Sequence, residues 1–142
     1  MNEENCKLKI PTGVRQIEVE IAYLALKGDV IYSISKNVKR TTANVKEFFD
    51  SVRKLSGNKK VYMISETTYM QPYTAQVKKY FNEEMIGICK GLAVVSCRPL
   101  GKIVPATVIL SQKPPFPVRI FDTSQEACDW IEELQKRELS SP

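Results

Sequence analysis

The chain predicts an α/β domain with a mixed sheet in the order β-β-α-β-α-β-α-β-α: four mainly parallel strands plus one antiparallel edge strand, helices packed on the sheet. Three observations predict it. Val118-Arg-Ile-Phe121 reads as a short buried strand that runs straight into a helix, because Thr123 and Glu126 have the T-x-x-E spacing of a capping box. Ala127, Trp130, Ile131 and Leu134 then form one apolar stripe at helical spacing, which has to lie on a sheet. Residues 92–95, Leu-Ala-Val-Val, are the continuous apolar run of a strand buried on both faces.

The remaining elements follow in order. Residues 1–12 are polar and contain Pro11, which predicts a loose terminal segment. Residues 15–26 alternate, with Ile17, Val19 and Ile21 on one side and Gln16, Glu18 and Glu20 on the other, as a half-buried strand does. Lys27-Gly28-Asp29 turns it into a second strand over 30–34, making an antiparallel hairpin. A polar, basic stretch over 35–42 leads to a helix with Thr41 or Thr42 as N-cap and a buried stripe of Val45, Phe48, Phe49, Val52 and Leu55. Gly57-Asn58 stops it. Residues 60–64 form the next strand, and 65–74 a loop longer than the usual ~2–6 residues of such connections. Thr74 caps a second helix whose inner face carries Val77, Tyr80, Phe81 and Met85. After the strand over 88–96, Pro99 opens a stretch in which Leu100, Ile103, Val104, Thr107 and Val108 keep helical spacing, and Pro105 predicts a kink or two pieces. The chain reads as a single domain over 1–142 with an ordered core of about 14–136, and Leu139 onward frays.

Composition narrows the function. The 142 residues are 43% hydrophobic and 26% charged, as in globular domains. No apolar run reaches the ~18 residues of a membrane span, and the acidic start lacks signal-peptide character, so a cytoplasmic location is expected. There is no histidine, no G-x-S-x-G and no Gly-rich phosphate loop, so the expectation is a non-enzyme without metal or cofactor. Cys6, Cys89, Cys97 and Cys128 form no C-x-x-C pair and read as packing residues. The net charge of +5 is spread along the chain without a basic run, which argues against nucleic-acid binding.

The element order, the stretch Gly-Leu-Ala-Val-Val-Ser over 91–96, the following Arg98, Leu100 and Gly101, and the Pro-x-Arg-Ile-Phe…Ala-x-x-Trp-Ile segment over 117–131 resemble the STAS domain of the SpoIIAA type, and in particular the small SpoIIAA-like bacterial proteins. The resemblance covers about residues 15–134. It implies a regulatory or protein-interaction module that binds another protein or forms a homodimer. In regulatory members a serine at the start of the helix after the third strand is phosphorylated. Thr74 occupies that hydroxyl position, while Ser65 and Tyr73 stand where acidic residues flank it. Thr74 is therefore expected to act as a helix N-cap and not as an obligatory phosphosite.

Loops after parallel strands gather at one end of the sheet, where open α/β folds bind ligands. That end should collect Lys36, Lys39, Arg40 and Thr41; Thr67, Thr68, Tyr69, Tyr73 and Thr74; Ser96 and Arg98; and Asp122 and Thr123. Cations, hydroxyls and helix N-termini suit an anionic ligand, although capping alone accounts for Thr41, Thr74 and Thr123. The alternative function is thus binding of an anionic or lipid-like small molecule in the crevice at the strand ends.

Overall fold

The computed structural model describes residues 3–140. Six strands form one sheet in the spatial order β1-β2-β3-β4-β5-β6, with β1 at Arg15–Val19, β2 at Ala22–Lys27, β3 at Val30–Ser35, β4 at Val61–Glu66, β5 at Cys89–Val95 and β6 at Val118–Phe121. Strands β3 to β6 are mutually parallel, and β1 and β2 are antiparallel. Four helices complete the α/β fold: α1 at Thr42–Ser56, α2 at Ala75–Ile88, α3 at Leu100–Val108 and α4 at Ser124–Ser140.

The antiparallel part holds two strands where one was expected. A two-residue turn at Glu20 and Ile21 interrupts the alternating stretch, so Val19 pairs with Ala22. Tertiary partners hold this turn, which lacks Gly, Asn or Pro. The Glu20 amide donates to Glu47 Oε1 at 3.0 Å, and the Ile21 carbonyl accepts from the Lys36 amide at 2.8 Å. Because the two-residue reversal preserves apolar character at Ile17, Val19 and Ile21, no break appears in the pattern.

Two cores sandwich the sheet. On one face α1, α2 and α3 bury Val45, Phe49, Val52, Phe81, Met85 and Val104 against Leu24, Ile31, Met63, Leu92 and Val94. Phe49 and Phe81 meet at 5.2 Å between ring centroids, within the favourable range for aromatic pairs. On the other face α4 lays Ala127 and Ile131 against Tyr62, Ile64, Ala93 and Phe121. The α4 stripe is therefore as the spacing required, except that Trp130 is only half-buried. It sits at the rim against Phe121, centroids 5.6 Å apart, with the Arg119 guanidinium nearby.

Local chemistry sets the helix ends. Thr41 and Asn44 form a reciprocal capping box on α1, and Gly57 ends that helix at φ 64°, the left-handed conformation glycine adopts freely. Helix α3 runs through Pro105 without splitting and is followed by a 3-10 turn at Leu110–Gln112. Pro105 has no N–H for the Gly101 carbonyl, and the Thr67 hydroxyl donates to that carbonyl instead, at 2.5 Å.

The N-terminal segment is anchored, contrary to the loose segment expected. Cys6 forms a disulfide with Cys97, so these two cysteines are cross-links and not simple packing residues. Leu8 is buried in the α4-side core, and its amide donates to Glu66 Oε1 at 2.8 Å. Cys89 and Cys128 remain free thiols. Residues 1–2 and 141–142, parts of both expected flexible ends, lie outside the described residues; Leu139 itself belongs to α4. Among the described residues no helix is long and apolar enough to cross a membrane.

The disulfide closes a loop with a sequence separation of 91 residues, so its loss releases much chain entropy in the unfolded state. Cys6→Ser should lower stability by about 2–5 kcal/mol. Chemical denaturation of the variant measures this directly. Alkylation of the unfolded, unreduced native chain should label Cys89 and Cys128 alone.

Candidate functional site

The inward positions of β3 and β4 change character along the strands. On β3 they run Ile31, Ser33, Ser35, and on β4 Met63 and Ser65, continued by Thr67 just past its end. Apolar at the strand starts, they become hydroxyls toward the C-terminal ends, where Ser33 and Ser65 are register partners. There the sheet and α1 to α3 do not close completely. A cavity of about 40 Å³ remains, bordered by these hydroxyls, by Arg40 and Tyr73, and by an apolar wall that includes Phe48, Phe81, Met85 and Leu92.

Arg40 is 4% exposed. Its Nη1 donates to the carbonyls of Lys36, at 2.7 Å, and Val38, and its Nη2 to that of Ile21 at 3.3 Å. The guanidinium thus ties the β1–β2 turn to the β3–α1 connection. Its Nε is the one buried side-chain nitrogen or oxygen among the described residues that has no hydrogen-bond partner. No carboxylate borders the cavity. Burial lowers the Arg40 pKa from its ordinary value, opposed by Tyr73, whose hydroxyl interacts with the guanidinium. Burial in turn pushes Tyr73 up to about 12, against the pull of Arg40. Both groups therefore keep their ordinary protonation near neutral pH: a cation and a neutral phenol.

Of the residues the sequence points to, Arg40, Thr67 and Tyr73 meet at this cavity. The others do not. Lys36 turns to Glu18 at 2.5 Å and lies over the Tyr23 ring, so an intramolecular carboxylate already neutralises it. Lys39 is exposed, and its carbonyl accepts from the Asn44 side chain. Thr68 is buried, donates to Glu66 Oε2 and accepts from the Cys97 amide, which makes it a brace for the strand end. Ser96 is buried and bonds the Arg98 backbone. Arg98 is exposed above the Tyr69 ring, 4.8 Å from its centroid. Asp122 pairs with Lys102. The expected cluster of cations is therefore dispersed, and one buried guanidinium stands in its place. Thr74 accepts from the Val77 amide at 3.3 Å as the N-cap of α2, and Thr123 accepts from the Glu126 amide at 3.2 Å. Met70, in the same long connection, is buried in the core.

Ser33, Ser35 and Ser65 escaped the sequence reading. Their signal was present: serines at strand positions whose alternation faces the core. The sequence pattern treats such a serine as an interruption of the stripe, although two neighbouring strands carrying it at the same level mark a polar floor.

Helix α3 docks against the end of the sheet at very short range. A Cβ on Gly101 would stand 2.6 Å from the Thr67 carbonyl and inside contact distance of Ser96 Oγ. Among the described residues no group of three or more His, Cys, Asp or Glu side chains could hold a metal ion.

The family described as Domain of unknown function (DUF7793) matches residues 24–135. No curated protein matches the chain, and no solved structure matches it.

Two substitutions test the docking of α3. Gly101→Ala should destabilise by about 3 kcal/mol through overpacking, with Ser96→Ala restoring only part because the Thr67 carbonyl still blocks the methyl. Thr67→Val should lose about 1–3 kcal/mol by leaving the Gly101 carbonyl unsatisfied. Urea unfolding of each variant gives the values. At the other helix, Thr74→Ala should lose about 1 kcal/mol while Thr74→Asp is tolerated, since aspartate caps as well and its charge favours the helix start. A phosphoryl adduct on Thr74, found by intact mass of protein from its native host, would contradict the cap-only role.

Proposed function

The chain belongs to the DUF7793 family, and on that premise we propose that it is a non-enzymatic domain that binds a small anionic molecule in the cavity at the C-terminal ends of β3 and β4. The observation that carries this is Arg40: a buried guanidinium with an unpartnered Nε beside a cavity that holds no carboxylate. An uncompensated buried charge is unfavourable, and a bound anion relieves it. The lining supports binding without chemistry. It offers hydroxyls, a guanidinium and a phenol raised to about 12, and none of these is an acid or base poised near neutral pH.

The test is a thermal-shift screen of small metabolites against the native chain and a Ser65→Leu variant, whose longer side chain fills the cavity. A ligand at about 100 times its Kd should add ~2.7 kcal/mol to the native protein and little to the variant. A shift that survives Ser65→Leu undiminished places the ligand elsewhere and defeats the proposal.

A second reading is a STAS-like regulatory module that binds another protein or a second copy of the chain. It is favoured by Leu100 and Ile103, 55% and 57% exposed on α3, with Ile86 and Leu110 also exposed. Leu100→Glu combined with Ile103→Glu should then abolish co-purification of the partner while leaving the fold intact. A cytoplasmic setting accompanies this reading, and there the Cys6–Cys97 bond would be a reducible clasp, because thiols are kept reduced in that compartment.

A further inference from the structure

The outer side of α3 carries an apolar stripe framed by charge of one sign. Gly101, Val104, Pro105 and Val108 are the buried positions of the helix. Leu100, Ile103 and, in the following 3-10 turn, Leu110 fall outside that face and are exposed. The Asn82 side chain donates to the Val108 carbonyl at 2.7 Å, which lays α2 beside the end of the stripe. Ile86, one turn further along α2, is exposed as well. From Leu100 to Leu110 the stripe is about 15 Å long at the helical rise.

The free charges at its ends are positive. No Asp or Glu occurs between Glu84 and Asp122, and those two are held by Arg53 and Lys102. Arg98 precedes the stripe and Lys113 follows it, both exposed. Arg98 stands over the neutral Tyr69 ring, and no carboxylate among the described residues offsets either cation.

This frame selects the partner. A second copy of the chain packing stripe on stripe would set Arg98 against Lys113, or each cation against its own equivalent, so cation meets cation in either orientation. A helix that lies in a bilayer surface carries cations on its polar face and interfacial aromatic rings. Helix α3 has no aromatic residue, and its one cation, Lys102, is already paired.

We infer that this face takes an amphipathic helix of another protein, with an apolar stripe of about three turns and Asp or Glu near both ends. Its apolar side chains cover Leu100, Ile103 and Leu110. Its terminal carboxylates meet Arg98 and Lys113. The inference rests on the second reading above, in which α3 is a partner face, and names the partner's chemistry.

Fluorescence anisotropy of the intact chain with three synthetic helical peptides tests it. The first has a three-turn leucine stripe with glutamates at both ends. The second has lysines in their place, and the third keeps the glutamates but scatters the leucines around the helix. The glutamate peptide should bind saturably, about tenfold more tightly than the lysine peptide, since two attractions become two repulsions, and should weaken as salt screens the end charges. The scattered peptide should show no saturation. Leu100→Ser with Ile103→Ser should weaken the glutamate peptide about tenfold or more. Arg98→Glu with Lys113→Glu should reverse the preference between the first two peptides, and Arg98→Glu alone should shift it the same way if the double variant does not fold. Equal binding of the glutamate and lysine peptides, or silence of the glutamate peptide, overturns the acidic-helix class. So does a dimer in sedimentation equilibrium, or sedimentation with phosphatidylserine vesicles, that the serine pair abolishes. In each case co-purification with the Leu100→Glu, Ile103→Glu variant separately decides whether α3 remains a partner face.

Discussion

The buried guanidinium of Arg40 is the constraint around which one end of the molecule is arranged. It binds carbonyls from two connections far apart in the chain, at Ile21 and at Lys36 and Val38. The Ile21 and Lys36 carbonyls each accept one backbone amide, and the guanidinium fills their remaining acceptor capacity and serves Val38 as well. By serving both, Arg40 lets the β1–β2 hairpin fold over the start of α1 and close the side of the cavity. The same service leaves Nε without a hydrogen-bond partner.

Helix α3 is attached to the end of the sheet by a compensating pair. Pro105 deprives Gly101 of its helical partner, and Thr67, at the end of β4, replaces it. The replacement works because Gly101 has no side chain to hold the helix away from Thr67 and Ser96. A proline that ordinarily kinks a helix becomes a point of attachment to the sheet. Behind this contact the strand end is braced a second time, through Glu66, Thr68, Leu8 and the Cys6–Cys97 bond. The strand ends are thus braced on both faces of the sheet.

Much of the fold was legible because it rests on periodicity. The α1 stripe from Val45 to Leu55, the α4 residues Ala127 and Ile131 and the core of β5 all express burial that repeats with the element, and repetition is visible in a linear chain. The caps at Thr41, Thr74 and Thr123 were legible for a related reason: donor and acceptor are three residues apart. The reversal at Glu20–Ile21 was not, since distant partners hold it and no local turn signal marks it.

The sequence by itself determined the class of fold, the parallel part of the sheet and which end of it carries polar side chains, because these follow from local propensity and the spacing of apolar residues. Only the tertiary structure decided which of those polar side chains act together. Lys36, Arg98 and Asp122 found intramolecular partners, whereas Arg40, Tyr73 and three inward serines were left around one cavity. The physical reason is that a charge is available for a ligand only if nothing nearer satisfies it. Proximity between residues such as Cys6 and Cys97, or Thr67 and Gly101, is set by packing across the sheet and not by position along the chain.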